Sequence, residues 1–424
     1  MNPSFSIVVP TLDNLDDLEK LIISINSQTL LPKEVVISDS SSSNQIEEAV
    51  KIIHSKVPIV YLRVGRAFKL DRFLKSLSFL PFFNKIIGKL PDGRAFPYEA
   101  SNAAVEKAAF EWIAFLDATT IPAASWLEDY WNFKCQYECD VVFGNTRYFA
   151  KTKFQKLLRA STYGRIGHET APGSIIKKVN FLNGLKIMEG VRSGGDVAWK
   201  MKIKDSLNYY LPSKSYLSYS SLPNSLLLTL KKFFTYQIYG SFLDIQNNIK
   251  DLYLGTALLL CIILIPKWNY IVGWDSIFFI PHITKIFFLS LFLIIFISFT
   301  INRVFFRVLA LNSFRANSLK LLLFIIIAYS IFNWNAVVAK WVEDSIWYIP
   351  HITKIFVFLV FTASFVYRGI YFPLKNKIRF SYLFPFRWFL VGVLGILLDL
   401  AKAPGYLLGA ILASFVRRAK NIHG

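Results

Sequence analysis

Three cysteines in 424 residues leave no basis for a disulfide framework. Cys135 and Cys139 are spaced to share one face of a helix, but with no His or second Cys pair beside them they make a poor zinc site and read as structural. Acidic residues are also short, 28 against 48 Lys and Arg, for a formal net charge of +20. No nucleic-acid recognition module accompanies that charge, and the basic residues flank apolar runs, so nucleic acid is not the expected partner. Anionic headgroups and phosphate-bearing substrates are. No basic, long apolar leader stands between Met1 and the strand-like Phe5-Ser6-Ile7-Val8-Val9, so the first domain is expected in the cytoplasm. Charged residues make up only 18% of the chain and hydrophobic ones 54%, too apolar for an ordinary soluble protein.

The apolar residues are concentrated. From about Leu252 they form runs such as Ile286 to Ile301, Leu321 to Val338 and Ile355 to Val366, each close to bilayer length. The first 240 residues are mixed and punctuated instead, and predict an α/β domain. Strand Ser6 to Val9 stops at Pro10-Thr11, and a helix follows with Leu18, Leu21, Ile22 and Ile25 on one face. A second buried strand, Glu34 to Ser38, exits at Asp39 into a serine run. A strand, helix, strand unit of this kind makes a mononucleotide-binding half-fold, in which Asp39 is read either as an acceptor for a base or ribose donor or as a turn cap. Further on, Ile113-Ala114-Phe115-Leu116 runs into Asp117 and a loop with Thr119 and Pro122, as a buried parallel strand delivering a carboxylate to the sheet's C-terminal edge would.

In order, Pro10-Thr11, Asp39 with its serines, the helix around Ser101-Asn102, the strand ending at Asp117, and Gly194-Gly195-Asp196 with Trp199 resemble the motifs of family 2 glycosyltransferases over roughly residues 4 to 240. That resemblance implies a GT-A nucleotide-diphospho-sugar transferase fold. It assigns donor binding to Pro10, Thr11, Asp39, Asn102, Asp117 and Thr119, a Mg2+ or Mn2+ ion to Asp117, and the general base of an inverting transfer to Asp196. Two departures stand out: Thr119 occupies the place of a second acid, and Gly195 that of an acid before Asp196. The basic, aromatic segment Leu230 to Gly240 resembles that of membrane-attached enzymes making exopolysaccharides of the succinoglycan type, and reads as an interfacial helix. The Gln-x-x-Arg-Trp motif of processive synthases is absent, so single additions to a polyprenyl-linked acceptor are expected. A polyprenyl-phosphate sugar synthase, a degenerate scaffold and a small transporter are the rival readings.

An insertion, Arg66 to Arg94, mixes Phe68, Phe73, Phe79, Phe82 and Phe83 with basic residues, and is read either as a segment in the bilayer interface or as a flap on the domain. Residues 275–287, Asp275-Ser276-Ile277 to Pro281-His282 and on to Phe287, recur 69 residues later with eleven of thirteen positions matching. Two transmembrane hairpins follow, 252–266 with 283–301 and 318–339 with 353–373, each with a repeat motif in its loop. His282 and His351 are read as a metal or lipid-phosphate pair or, more simply, as part of a duplicated helix start. Basic clusters at Arg303 to Lys320 and Lys375 to Arg387 put both hairpin bases in the cytoplasm. The expected organisation is therefore a catalytic domain over 1–240, hairpins over 241–373, and amphipathic interfacial helices over 374–424, where Asp399, Lys402 and Pro404 interrupt the apolar pattern.

Overall fold

The computed structural model describes residues 3–65, 95–243, 264–291, 293, 314–341 and 348–422. The insertion 66–94, most of the expected first membrane helix, the end of the second and the loop holding Asp344 lie outside them.

The chain divides into two compact units, residues 1–253 with 367–424, and residues 254–366. The first is built on one nine-stranded sheet with the order β3-β2-β1-β4-β7-β6-β9-β5, β8 pairing with β6. Strands β1 (Phe5–Thr11), β2 (Glu34–Asp39), β3 (Ile59–Arg63) and β4 (Trp112–Phe115) run parallel, with β2 and β4 on opposite sides of β1. Both β1 and β2 are buried on both faces, which is why each reads as a continuous apolar run. Helix α1 (Leu15–Asn26) covers one face with the expected stripe, since Leu18, Leu21, Ile22 and Ile25 are fully buried. Helix α2 (Gln45–Ile52) follows β2, and α3 (Pro97–Lys107) packs along β1 and β2, starting on a proline with Glu99 closing its first turn.

The remaining strands turn the sheet antiparallel. β6 (Val141–Tyr148) pairs with β7 (His168–Lys177), which pairs with β4. Their register shifts at Gly144, where a Cβ would sit 1.9 Å from the carbonyl oxygen of Pro172, so the bend requires glycine. Short strands β5 (Thr120–Pro122), β8 (Tyr209–Tyr210) and β9 (Leu217–Tyr219) finish that edge. Helices α4 (Trp126–Gln136), α5 (Lys153–Thr162), α6 (Lys178–Leu182) and α7 (Gly195–Ser206) complete the domain.

Segments expected to lie in the bilayer interface belong to this unit. Helix α8 (Leu226–Gly240) packs against the C-terminal helix, Arg387–Ile422, which is one continuous helix. Gly405 and Gly409 make the approach possible: a Cβ on the first would meet the Phe234 carbonyl oxygen at 2.6 Å, and on the second that of Ile238 at 2.3 Å. Asp399 and Lys402 do not interrupt the helix, because Asp399 turns inward and accepts from Arg368 Nε at 2.6 Å and Lys402 Nζ at 3.4 Å. Buried charge is tolerated there because it is paired.

In the second unit, helix α9 (Trp268–Val272) opens a loop tied by Trp268 Nε1 to the Phe278 carbonyl at 2.9 Å, while Asn269 bonds the Ile280 backbone on both sides. Helices α10 (Phe314–Trp341) and α11 (Ile349–Val366) overlap the two segments of the expected second hairpin, but α11 stops at Val366, short of the expected end at 373, and begins earlier, on the second Pro-His copy. Among the described residues, one helical stretch, Arg387–Gly409, is long and apolar enough to cross a membrane, with 44% of its most apolar window buried.

Candidate active site

The parallel order 3-2-1-4 reverses direction at β1, so the C-terminal ends of β1 and β4 diverge and leave a crevice. A cavity of about 620 Å3 opens there. Pro10 and Thr11 reach it from β1, Ser40 from the turn after β2, Asp117 to Thr119 from the loop after β4, and Thr120 from the start of β5. That loop is closed on itself: the Thr120 hydroxyl accepts from the Asp117 N–H at 3.2 Å and donates to the Asp117 carbonyl at 2.8 Å. The closed turn aims Asp117 and Thr119 into the cavity together.

Asp196 also lines the cavity, from the first turn of α7, after Gly194 has turned the chain at φ 83°. Tyr98 of α3 donates to its Oδ1 at 3.1 Å. The same ring explains Gly195, since a Cβ there would lie 2.6 Å from Tyr98 Cδ2. An acidic side chain in that position and Tyr98 exclude each other. Burial, and then the negative charge of Asp196, push the Asp117 carboxyl from 3.8 up to about 7. Two carboxylates thus face one cavity, close enough to feel each other.

Five of the expected residues, Pro10, Thr11, Asp117, Thr119 and Asp196, line this one cavity. Asp39 and Asn102 do not, and their bonds show why. Asp39 is fully buried, accepting from the Ser41 N–H and the Tyr61 hydroxyl, both at 2.9 Å, and so holds the turn that presents Ser40. Asn102 bonds both sides of the Ile187 backbone and reaches Glu189, while Glu99 accepts from the Gly190 N–H at 3.0 Å. Helix α3 therefore pins the loop that leads into Asp196. Both residues shape the site without lining it.

The rest of the wall escaped sequence reasoning. Tyr148 at the end of β6, Tyr219 at the end of β9, Arg192, and Lys232 with Tyr236 of α8 all line the cavity. Lys232 Nζ donates to the Tyr219 hydroxyl at 3.3 Å and lies over the Tyr219 and Tyr236 rings at 5.6 and 5.5 Å. Burial lowers its ammonium pKa, so an incoming anion would relieve a real cost. On the other side the buried hydroxyls of Thr11 and Ser40 have no hydrogen-bond partner. Unsatisfied buried hydroxyls at a cavity wall are places for a polar ligand. The basic, aromatic run around Lys232 was the one available signal, and its composition equally fits a helix lying on a membrane.

The protein donors for a metal are the Asp117 carboxylate and the Thr119 hydroxyl, and no group of three or more His, Cys, Asp or Glu that could hold an ion occurs among the described residues. This set suits a hard divalent ion that takes its remaining oxygens from a diphosphate and water, and does not suit a resident all-protein site.

No protein-family model matches the chain, and no curated protein matches it. Among solved structures it is similar to S. aureus TarS 1-349 in complex with UDP-GlcNAc, at 17% identity and a TM-score of 0.38 over 59% of this chain and 70% of that one. It is also similar to the mannosyltransferase PcManGT from Pyrobaculum calidifontis in complex with GDP-Man and Mn2+, at 16% identity and a TM-score of 0.38 over 57% and 64% of the two chains.

Proposed function

We propose that this chain is a membrane-attached, inverting, non-processive glycosyltransferase that moves a sugar from a nucleotide-diphospho-sugar to a polyprenyl-linked acceptor at the cytoplasmic face. The observation that carries the reading is the meeting of Asp117 and Asp196 in one cavity at the β1/β4 switch point, lined also by partnerless hydroxyls and a desolvated lysine.

In this reading Thr11 and Ser40 bind the nucleotide end of the donor, and Lys232 and Arg192 neutralise the diphosphate. A Mg2+ or Mn2+ ion held by Asp117 and Thr119 would supply further charge neutralisation to that leaving group. The acceptor hydroxyl oxygen attacks the anomeric carbon from the side opposite the diphosphate, the bond from carbon to diphosphate oxygen breaks with its electron pair, and the hydroxyl proton passes to Asp196. Tyr98 orients that carboxylate. General-base help of this kind is worth roughly 10²–10⁴-fold in rate.

Asp196→Asn tests the assignment. Turnover should fall at least a hundredfold while donor affinity stays within about threefold, because a base acts on the acceptor in the transition state. Loss of donor binding instead would move Asp196 into the nucleotide pocket. Unchanged turnover would favour a polyprenyl-phosphate acceptor, which is already ionised and needs no base. Profiling lipid-linked oligosaccharides in cells lacking the protein would identify the acceptor as the species that accumulates one sugar short.

A further inference from the structure

Away from the cavity, three arginines from three segments lie within electrostatic reach of one tyrosine. Arg387, at the start of the long apolar helix, places its guanidinium carbon 5.0 Å from the Tyr382 ring. Arg159 of α5 and Arg165 act on the same phenol, all three cations favouring its ionised form against the larger opposing effect of burial. No carboxylate figures among the charges felt by Arg159 or by Tyr382. Arg159 moreover has a buried Nε with no hydrogen-bond partner.

The cluster is preorganised. Ala160, Ile378, Leu383 and Val391 form a single buried apolar group that joins α5, the turn after 376 and the C-terminal helix. Arg165 is clamped by its N–H to the Asn376 carbonyl at 2.8 Å, beside Gly164, where a Cβ would lie 2.3 Å from that of Asn376. Two large aromatic residues stand exposed next to the cations, Phe386 at 80% and Phe389 at 53%. Arginines with no ion-pair partner among the described residues, beside exposed aromatics and at the mouth of the one described helix able to cross a membrane, have the composition of a headgroup-level contact.

We infer that Arg159, Arg165 and Arg387 form a docking site for the phosphate headgroups of anionic membrane lipids, with Phe386 and Phe389 entering the acyl boundary beside them. Guanidinium suits this partner because its planar fork meets phosphate oxygens in pairs. The site would also set the height of the cavity above the bilayer, since the Arg159 Nη1 donates to the carbonyl of Tyr148, whose residue lines the cavity. The inference shares with the transferase reading only the premise that the chain meets a membrane. Donor chemistry plays no part in it.

The test uses purified full-length protein in a neutral detergent, titrated with fluorescent short-chain phosphatidylglycerol, phosphatidylcholine as the uncharged comparison, and sodium phosphate as competitor. Phosphatidylglycerol should bind and phosphatidylcholine should not, and millimolar inorganic phosphate should fail to displace the lipid. The double variant Arg165→Gln, Arg387→Gln should lose about 25-fold in affinity, roughly fivefold for each surface cation removed. Its unfolding temperature should match the parent, because both side chains are exposed. Equal binding of the two lipids, parental affinity in the double variant, or displacement by inorganic phosphate alone would each overturn the inference. Donor binding, measured in the same samples, fails independently if the transferase reading is the one at fault.

Discussion

Asp117→Asn should make the protein more stable and inactive at once. A carboxyl moved from 3.8 to about 7 binds its proton more tightly folded than unfolded. Between those values the native state holds more protons than the unfolded chain, so stability falls as pH rises from about 4 through 7 and is lowest above 7. At about 1.36 kcal/mol per pH unit the whole cost at pH 8 comes to about 4 kcal/mol. The side chain keeps a partial opening to the cavity, where water screens it, and halving the figure gives ~2 kcal/mol. An asparagine of the same shape carries no such charge. Thermal unfolding at pH 5 and pH 8 should show the variant melting roughly 4–8 °C above the parent at pH 8 and close to it at pH 5. Adding Mn2+ to a nucleoside diphosphate should further stabilise the parent at pH 8 and add nothing to what the diphosphate alone does for the variant, since the ion offsets a charge that the variant lacks. A variant less stable than the parent at pH 8, or one that keeps the parental slope with pH, would refute the reasoning.

Lys232→Met keeps the bulk of the side chain and removes the cation, so donor affinity should fall roughly 10- to 100-fold, the worth of one charged hydrogen bond in a sheltered site; unchanged donor titration would remove Lys232 from the diphosphate site. Gly409→Val forces a Cβ to within 2.3 Å of the Ile238 carbonyl and should cost about 1–3 kcal/mol as the C-terminal helix moves off α8, read as a lower melting temperature together with weaker donor binding. A destabilised Gly409→Val protein with full donor affinity would uncouple the C-terminal helix from the site.

The half of the sheet nearest the N-terminus was legible because its residues obey simple periods. The stripe Leu18, Leu21, Ile22, Ile25 is a helix face, and Val35-Val36-Ile37 is a strand buried on both sides. Asp117 was legible for the same reason, as the first polar residue after such a strand. Strands β6 and β7 were not, because Gly-Asn-Thr-Arg and His-Glu-Thr-Ala-Pro carry little alternation; their pairing rests on the long-range contact of Gly144 with Pro172. The gap at Gly195 was visible in the sequence as a missing acid. Its reason was not, since Tyr98 lies 97 positions away and only the fold lays its ring on that glycine.

Helix α8 shows where composition stops deciding. Its Lys231-Lys232-Phe233-Phe234 run fits an interfacial helix and a cavity wall equally, because both need cations beside aromatic rings. What separates the two is the neighbour on its other face. Gly405 and Gly409 let the C-terminal helix reach the α8 backbone, and the Ser241 hydroxyl lies 3.1 Å from the Tyr406 carbonyl at the end of that seam. With one side of α8 held this way, Lys232 and Tyr236 are left to face the cavity. The basic, aromatic wall of the cavity therefore depends on a helix that begins some 150 residues later in the chain and carries the one described stretch able to cross a membrane. A domain cut at residue 240 would keep Asp117 and Asp196 and lose the support of the cation that lines the same cavity.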